Sequence, residues 1–221
     1  VSVNAAIKGL EDDTVSEGLR FRNIHYFAAG ATLFGSQVQG AYQYTGQEYL
    51  GRFAHVSGFD NCMACHDTHG LTVKVSACGN CHAVVKSPED LLKIRMSPTD
   101  YDGDGDATEG LAGEVETYRE KLYATLQDYA RNVIGTAIVY NPLAYPYFFA
   151  DANGNGVLDE GEKAYSTWTP RLLRAAYNYQ YVTKDPGAFA HNGKYIIQVL
   201  YDTLTDLGQK VTVDMAGMVR P

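Results

Sequence analysis

The sequence has no long uninterrupted apolar run and little positive charge. Its most apolar stretch, residues 133 to 150, is broken by Asn141, Pro142 and Pro146, so we expect no membrane-spanning segment. The 18 basic residues are outnumbered by 26 acidic ones, giving a net charge of -8 and a pI near 5.2. This acidity argues against nucleic acid or an anionic membrane as a partner. Residues 1 to 13 lack a signal-peptide pattern, so we expect a processed chain.

Cysteine is scarce, and its four residues are confined to one short stretch. Residues 62 to 82 read CMACHDTHGLTVKVSACGNCH and contain the pattern Cys-x-x-Cys-His twice. This pattern is typical of c-type haem attachment, in which two thiols form thioethers with the porphyrin and the adjacent histidine ligates the iron. We therefore expect two haems c. The thioether residues would be Cys62, Cys65, Cys78 and Cys81, and the proximal ligands would be His66 and His82.

Other uses of four cysteines explain the pattern less well. A four-cysteine zinc site gives no reason for a histidine after each second cysteine, and a thioredoxin-like pair needs only one motif in a βαβ context. Disulfide bonds can form in any secreted chain, but the two haem motifs use all four cysteines. Eleven residues separate His66 from Cys78, so we expect the two haems to be neighbours, close enough for electron transfer.

Four of the six histidines remain as candidates for the distal iron positions. His55 precedes the first motif by seven residues, and His191 lies at the entrance of a predicted helix. We expect His25 on the inner face of a first helix, whereas His69 is too near His66 to reach the far side of the same haem. The resulting order of preference is His55, His191, His25 and His69. Methionine is the competing ligand type, and the candidates are Met63, Met96, Met215 and Met218.

Two acidic loops resemble the calcium-binding loop of EF-hands. Residues 151 to 162, DANGNGVLDEGE, place oxygen donors at the ligand positions, with glycine at the sharp turn and glutamate last. The predicted calcium ligands are Asp151, Asn153, Asn155, Val157, Asp159 and Glu162. Residues 100 to 111 begin similarly but end in Leu111, so Glu109 or Glu114 would have to replace the glutamate, unless the loop is a solvated turn. The candidate ligands of this second calcium site are Asp100, Asp102, Asp104, Asp106 and Glu109.

The sequence pattern predicts a mainly α fold with a small β-hairpin. Helices are expected over residues 16 to 34, 90 to 95 and 113 to 133, from Pro170 after the cap residue Thr169, and over residues 192 to 207 before Gly208. A hairpin is expected over residues 38 to 56, with its turn at Thr45 and Gly46. A change of composition divides the chain into a dihaem lobe, 1-97, and a helical lobe with EF-hand-like calcium loops, 98-221.

The chain resembles the multihaem c-type cytochromes, specifically a module of large polyhaem, membrane-associated cytochromes. The resemblance covers most of residues 16 to 207. It rests on RFRNIHYFAAGATLFG, CMACHDTHG with CGNCH, DYDGDGDATEG, and TPRLLRAAYNYQYVTKDPGAFAHNGKYIIQVLYD. It implies electron movement between respiratory membranes and outside acceptors, and some small multihaem cytochromes polymerise into conducting filaments. Two haem motifs are few for such proteins.

The motifs and the resemblance together predict an electron-transfer protein rather than an enzyme. We expect an extracellular or cell-surface location, with the periplasm as the alternative, because c-type haem attachment takes place outside the cytoplasm. The expected partners are redox proteins or an extracellular electron acceptor, and copies of the chain itself in a homopolymeric cytochrome filament. The alternatives are a monomeric dihaem shuttle, a module whose haems serve folding, and a dihaem peroxidase or nitrogen-oxide reductase, which requires an open distal position.

Overall fold

The computed structural model describes residues 2 to 25 and 27 to 221. Its helices are α1 (Val3–Ile7), α2 (Ala28–Phe34), α3 (Cys62–Cys65), α4 (Val75–Cys78), α5 (Leu111–Tyr129), α6 (Pro170–Thr183) and α7 (Ala188–Leu207). Strands β1 (Ile138–Tyr140) and β2 (Phe148–Ala150) form a two-stranded antiparallel sheet. Shorter elements are the 3-10 turns Gly35–Gln37 and Pro88–Lys93 and the π turn Ala130–Ile134. The expectation of a mainly α chain with a small antiparallel sheet is confirmed, but the sheet lies within residues 138 to 150 and not at the predicted hairpin, residues 38 to 56.

Helices α5, α6 and α7 pack against one another and form the hydrophobic core. Apolar residues three or four positions apart supply the buried sides of α5 and α7, as an amphipathic helix requires. The fully buried apolar residues of these two helices include Tyr118, Leu122, Leu126, Ile196, Val199, Leu200 and Leu204. The sheet joins this core through Phe148, whose ring packs edge-on against Trp168 at a centroid distance of 5.8 Å.

The first part of the chain shares this core. Val3, Leu19, Ala31 and Ala41 are all buried within the same cluster of apolar side chains as the three long helices. The division into two lobes at residue 97 stays a prediction. In the structure, the N-terminal residues pack on the helical core rather than on the haem motifs alone.

The prediction of a first helix over residues 16 to 34 is wrong for its N-terminal half. Residues 16 to 25 form a turn and irregular backbone, and α2 begins only at Ala28. The reason is a competing tertiary contact: the Ile24 N–H donates to Gln180 Oε1 on α6 at 3.2 Å instead of to a carbonyl of its own segment. His25 therefore lies outside any helix, with an exposed side chain, and not on an inward helical face.

The hairpin predicted over residues 38 to 56 is also wrong, because this segment contains no strand. Its turn is present, but the backbone on either side bonds to polar side chains of the long helices. The Tyr42 N–H donates to Asn178 Oδ1 on α6 at 2.7 Å, and the Leu50 N–H donates to Gln198 Oε1 on α7 at 2.8 Å. These side chains replace the cross-strand partners that a hairpin would have supplied.

The three long helices match their predictions closely. Helix α5 begins two residues before its predicted start, and the Thr169 hydroxyl caps α6 as expected. Helix α7 ends before Gly208, as expected, but begins at Ala188. Asn192, its predicted first residue, interrupts it with extended backbone (φ -170°, ψ 69°), and the Asn192 side chain donates to the Gly51 carbonyl at 2.9 Å.

Candidate haem-binding and cation-binding sites

The two Cys-x-x-Cys-His motifs form two helical turns with the same hydrogen bond. In the first motif, the His66 N–H donates to the Cys62 carbonyl at 2.8 Å; in the second, the His82 N–H donates to the Cys78 carbonyl at 2.9 Å. Helix α3 spans the cysteines of the first motif, and α4 ends on the first cysteine of the second. None of the four cysteines forms a disulfide. The backbone therefore places the histidine of each motif in the same position relative to its first cysteine.

A tight connection folds the second motif back onto the first. His66 and Val73 form an isolated antiparallel bridge, and the Lys74 N–H donates to the Cys65 carbonyl at 2.8 Å. Burial raises the pKa of the Cys65 thiol, and the neighbouring Cys78 adds to this shift. The thiols of Cys65 and Cys78 are thus close enough to interact electrostatically. That the two haems are neighbours stays a prediction.

Each motif histidine lies near one of the two preferred distal candidates. The ring centroids of His82 and His55 are 5.9 Å apart with planes inclined by 28°, and those of His66 and His191 are 6.2 Å apart with planes inclined by 36°. Two imidazoles that ligate one metal from opposite sides, with bonds of about 2 Å, have centroids about 6 Å apart. Both pairs therefore have the spacing of opposed ligands of a single metal ion.

His191 is oriented by a buried carboxylate. Its Nδ1 lies 2.8 Å from Asp185 Oδ1 and 3.0 Å from Asp185 Oδ2, and Asp185 is only 2% exposed. A carboxylate on Nδ1 fixes the tautomer and leaves Nε2 for a metal ion. His55 is exposed, with the Phe53 ring 6.1 Å away. The two distal candidates thus differ in how firmly the protein holds them.

The remaining ligand candidates lie elsewhere. His25 and His69 are exposed, and His69 lies in the connection between the motifs, where its N–H donates to Asp67 Oδ1 at 2.9 Å. Met63 and Met96 are largely exposed, whereas Met215 and Met218 pack with the helical core.

The segment that carries the motifs has almost no hydrophobic core of its own. Among residues 42 to 100, all of them described, Val85 is the only buried apolar residue. Large apolar side chains are exposed instead, including Phe53, Val56, Met63, Leu71, Val73, Val84, Leu92 and Met96. So many exposed apolar groups in one short segment mark a surface that something covers. Porphyrin faces are apolar and would provide that cover, so the residues present fit two haems c.

Residues 151 to 162 form a loop around the buried carboxylate of Asp151. Its Oδ2 accepts the Gly156 N–H at 2.9 Å, and Glu162 closes the loop by accepting the Asp159 N–H at 3.0 Å. Asp151 is 4% exposed, while the rest of the loop is largely open to solvent. These bonds give the loop the turn expected at the glycine. Calcium binding here stays a prediction.

The second acidic loop brings carboxylates closer together than the first. Oxygens of Asp102, Asp104 and Glu109 all lie within 4.8 Å of one another, and so do oxygens of Asp100, Asp102 and Glu114. Burial raises the pKa of Glu109 to about 7, and the charges of the neighbouring carboxylates contribute. The loop therefore concentrates negative charge at one point.

Asp106, a fifth ligand candidate, lies outside both groups. Its Oδ1 accepts the Thr108 N–H at 2.8 Å, which turns the side chain toward its own loop backbone. Glu114, one of the two proposed replacements for the missing glutamate, reaches the loop from the first turn of α5.

Two curated proteins of Geobacter sulfurreducens are similar to this chain over most of its length. The C-type polyheme cytochrome OmcB is 29% identical to it and the C-type polyheme cytochrome OmcC 28% identical, and each match covers 84% of the chain. The chain is thus similar to C-type polyhaem cytochromes. It spans about a quarter of their length, 27% of OmcB and 26% of OmcC. No protein-family model and no solved structure matches it.

Sequence reasoning missed two groups of residues that the structure places at or near the core. Asp185 precedes His191 by six residues in an irregular turn, a spacing with no recognisable periodicity. The buried ion pairs of Arg171 and Arg174 with Asp206 join two helices, so their partners are not neighbours in sequence. Of the described helices, none is both long and apolar enough to cross a membrane.

Proposed function

We propose that this chain is an electron-transfer module that carries two haems c. In this proposal, His66 and His191 ligate one iron and His82 and His55 ligate the other. The observation that carries it is the pair of imidazole spacings, 6.2 Å and 5.9 Å, each between a motif histidine and a histidine outside the motifs. Homology to C-type polyhaem cytochromes supports the class of cofactor.

The chain's own residues would attach, orient and cover the two haems. The thioether residues Cys62, Cys65, Cys78 and Cys81 would fix each porphyrin beside its helical turn. Asp185 holds the His191 ring in one orientation. Exposed apolar side chains of residues 42 to 100 would pack on the porphyrin faces. Haem iron bound in this way takes up and releases single electrons.

Ligation on both sides of each iron favours electron transfer over a redox enzyme. A peroxidase or a nitrogen-oxide reductase needs a distal position that a substrate can occupy, whereas each motif histidine has a second imidazole at the spacing of an opposed ligand. We further propose that the module works outside the cytoplasm, at the cell surface or beyond it, with the periplasm as the alternative. Its partners would be redox proteins or an extracellular acceptor.

The test combines haem quantification with ligand substitution. Mass spectrometry of the purified protein should give two covalently bound haems per chain. His55→Met and His191→Met should each change the visible and EPR spectra of one haem, and the double variant should change both. His69→Met is the matched control, since this exposed side chain lies beside the first motif and should leave the spectra unchanged.

Two results would contradict this proposal. If neither single substitution alters a spectrum, the ligand assignment is wrong. If the oxidised unmodified protein has a substantial high-spin signal, one iron has an open position, and the redox-enzyme alternative becomes the better account.

A further inference from the structure

Two buried carboxylate oxygens in the second acidic loop have no hydrogen-bond donor. Asp102 is 4% exposed, and its Oδ1 accepts the Asp104 N–H at 3.2 Å. Its Oδ2 has no hydrogen bond of good geometry in the described part of the chain, although the Thr117 side chain lies close to this carboxylate. The Oε1 of Glu109 is buried without a partner in the same way. Burial of a carboxylate oxygen without a donor costs free energy, so native proteins compensate such atoms with a donor or a cation.

The basic side chain of Arg95 does not compensate them. Its Nη1 pairs with the carboxylate of Glu114 and also donates to the Glu109 carbonyl, while its Nε and Nη2 donate to the carbonyls of Ser97 and Thr99. Its positive charge is therefore directed at Glu114, and the side chains of Asp102 and Glu109 receive no hydrogen bond from it.

The geometry points to a cation site formed by Asp102, Asp104 and Glu109, and we propose that it binds Ca²⁺. Their carboxylate oxygens lie within 4.8 Å of one another. Two oxygens on the same Ca²⁺, at bonds of about 2.5 Å, are at most about 5 Å apart. An all-oxygen set of flexible carboxylates suits Ca²⁺ better than Mg²⁺, which demands a stricter octahedron and keeps its water.

Two further acidic residues shape the loop in this proposal and do not supply its principal ligands. Asp100 accepts the Gly103 N–H at 2.7 Å through Oδ1 and the Gly105 N–H at 2.9 Å through Oδ2. Glu114 accepts the N–H groups of residues 101 and 102 as well as the Arg95 guanidinium. This ligand set differs from the EF-hand pattern, in which the first aspartate and a terminal glutamate would be ligands.

The proposed cation lies where the segment that carries the haem motifs, residues 42 to 100, joins the helical core. The Leu111 N–H at the start of α5 donates to the Ile94 carbonyl at 3.1 Å, and the Val219 N–H donates to the Tyr101 carbonyl at 2.7 Å. Gly103 packs directly against Gly217. Cation binding would therefore stabilise a point where three separate parts of the chain meet.

The experiment uses the full haem-loaded chain after removal of metal ions with a chelator. Glu162→Gln is the parent variant, because it disables the other acidic loop and leaves one candidate site. Isothermal titration calorimetry with Ca²⁺ should give one site in this parent. Adding Asp102→Asn or Glu109→Gln should weaken Ca²⁺ binding by about tenfold or more, since each removes a charged ligand.

Asp106→Asn, added to the same parent, is the matched control. It removes one charge from the same loop outside the proposed ligand group, so binding should weaken by no more than about threefold. Circular dichroism and haem absorbance establish that each variant is folded. Should Asp102→Asn fail to fold, Glu109→Gln decides the test, because Glu109 is the less buried residue.

Three results would overturn the proposal. The first is Ca²⁺ binding by Asp102→Asn and Glu109→Gln that equals the parent's. The second is no Ca²⁺ binding by the parent up to about 10 mM, well above the dissociation constants of weak extracellular calcium sites. The third is tighter binding of Mg²⁺ than of Ca²⁺ by the parent, which would contradict the assignment of the ion.

Discussion

At the scale of single residues, Asp185 distinguishes His191 from His55, the two preferred candidates for distal ligands. Its buried carboxylate lies 2.8 Å from the Nδ1 of His191, whereas the exposed His55 has a ring contact with Phe53. A carboxylate on the second nitrogen makes an imidazole a stronger electron donor and fixes its orientation. We therefore expect the two haems to have different reduction potentials, the lower one at the iron ligated by His191.

Asp185→Asn should raise the reduction potential of one haem and leave the reduction potential of the other unchanged. The asparagine still reaches Nδ1 but carries no charge, so the oxidised iron loses stabilisation. A redox titration followed by visible spectroscopy measures both potentials. Asp214→Asn, an exposed charge change outside the haem segment, is the control. Two potentials unchanged by Asp185→Asn would contradict the role of this carboxylate.

At the scale of elements, a buried ion-pair cluster holds α6 and α7 together. Arg171 and Arg174 are 3% and 6% exposed, and both pair with Asp206, which is 7% exposed. Asp12 and Asp13 extend the cluster to the N-terminal loop. Such a cluster joins three parts of the chain, and removal of its central carboxylate would leave two buried positive charges without their shared partner.

Asp206→Ala should lower the free energy of unfolding by about 3–5 kcal/mol, the usual cost of breaking a buried pair from one side. Chemical denaturation followed by circular dichroism measures this loss. The control is Lys93→Ala, which removes a pair whose lysine is 64% exposed and should cost no more than about 1 kcal/mol. Equal losses in the two variants would contradict the structural role of the cluster.

The same cluster predicts acid sensitivity. A hydrogen bond from Arg174 lowers the pKa of Asp12 below its ordinary 3.8. Burial alone would raise the pKa of Asp13, but hydrogen bonds from Arg171 and other donors outweigh burial and lower it. A carboxylate with a depressed pKa stabilises the fold above its unfolded pKa and loses that contribution as the pH falls.

The melting temperature should therefore drop as the pH falls below about 4. The variant with both Asp12→Asn and Asp13→Asn should lose less on acidification, because it no longer has the two shifted carboxylates. Thermal melts at pH 7, 5, 4 and 3 provide the comparison. Parallel pH profiles for the two proteins would show that other groups cause the acid sensitivity.

For the first acidic loop, residues 151 to 162, the prediction of a calcium site implies that a chelator lowers stability. Ca²⁺ that binds only the folded chain should raise the melting temperature, and a chelator should lower it again. Glu162→Gln should reduce this response. Glu160→Gln, in the same loop but at a position that EF-hand loops do not use for ligation, should leave it intact. A melting curve unaffected by both chelator and Glu162→Gln would remove this site.

At the scale of the whole molecule, we expect head-to-tail assembly through the haem-carrying segment. Two haems span only a short distance, and repetition of a contact that does not close into a ring generates a filament. Leu71 is 85% exposed in the connection between the motifs, and the apolar side chains of this segment that the porphyrins leave uncovered are available for such a contact. Electron microscopy of the native material should show filaments; only dispersed single subunits at every concentration would favour the monomeric shuttle.

Leu71→Asn tests where the contact lies. Leu71 has a positive φ of 51°, a conformation that asparagine tolerates well, so the substitution removes apolar surface with little strain. It should shorten or abolish the filaments. Leu143→Asn, at a leucine that is 95% exposed outside the haem segment, should leave them intact. The opposite pattern would place the contact on the helical core.

The sequence alone determined the features that depend on near neighbours. Residues a few positions apart in the sequence determine the two haem motifs, the cap of α6, the long amphipathic helices and the turn of the first acidic loop. Tertiary structure decided the rest. The N-terminal half of the predicted first helix and the predicted hairpin do not form, because the side chains of Gln180, Asn178 and Gln198 on distant helices accept hydrogen bonds from the backbone of these segments. The packing of α7 likewise decided that the ring of His191 lies near that of His66, because no local sequence pattern indicates which distant side chains come together.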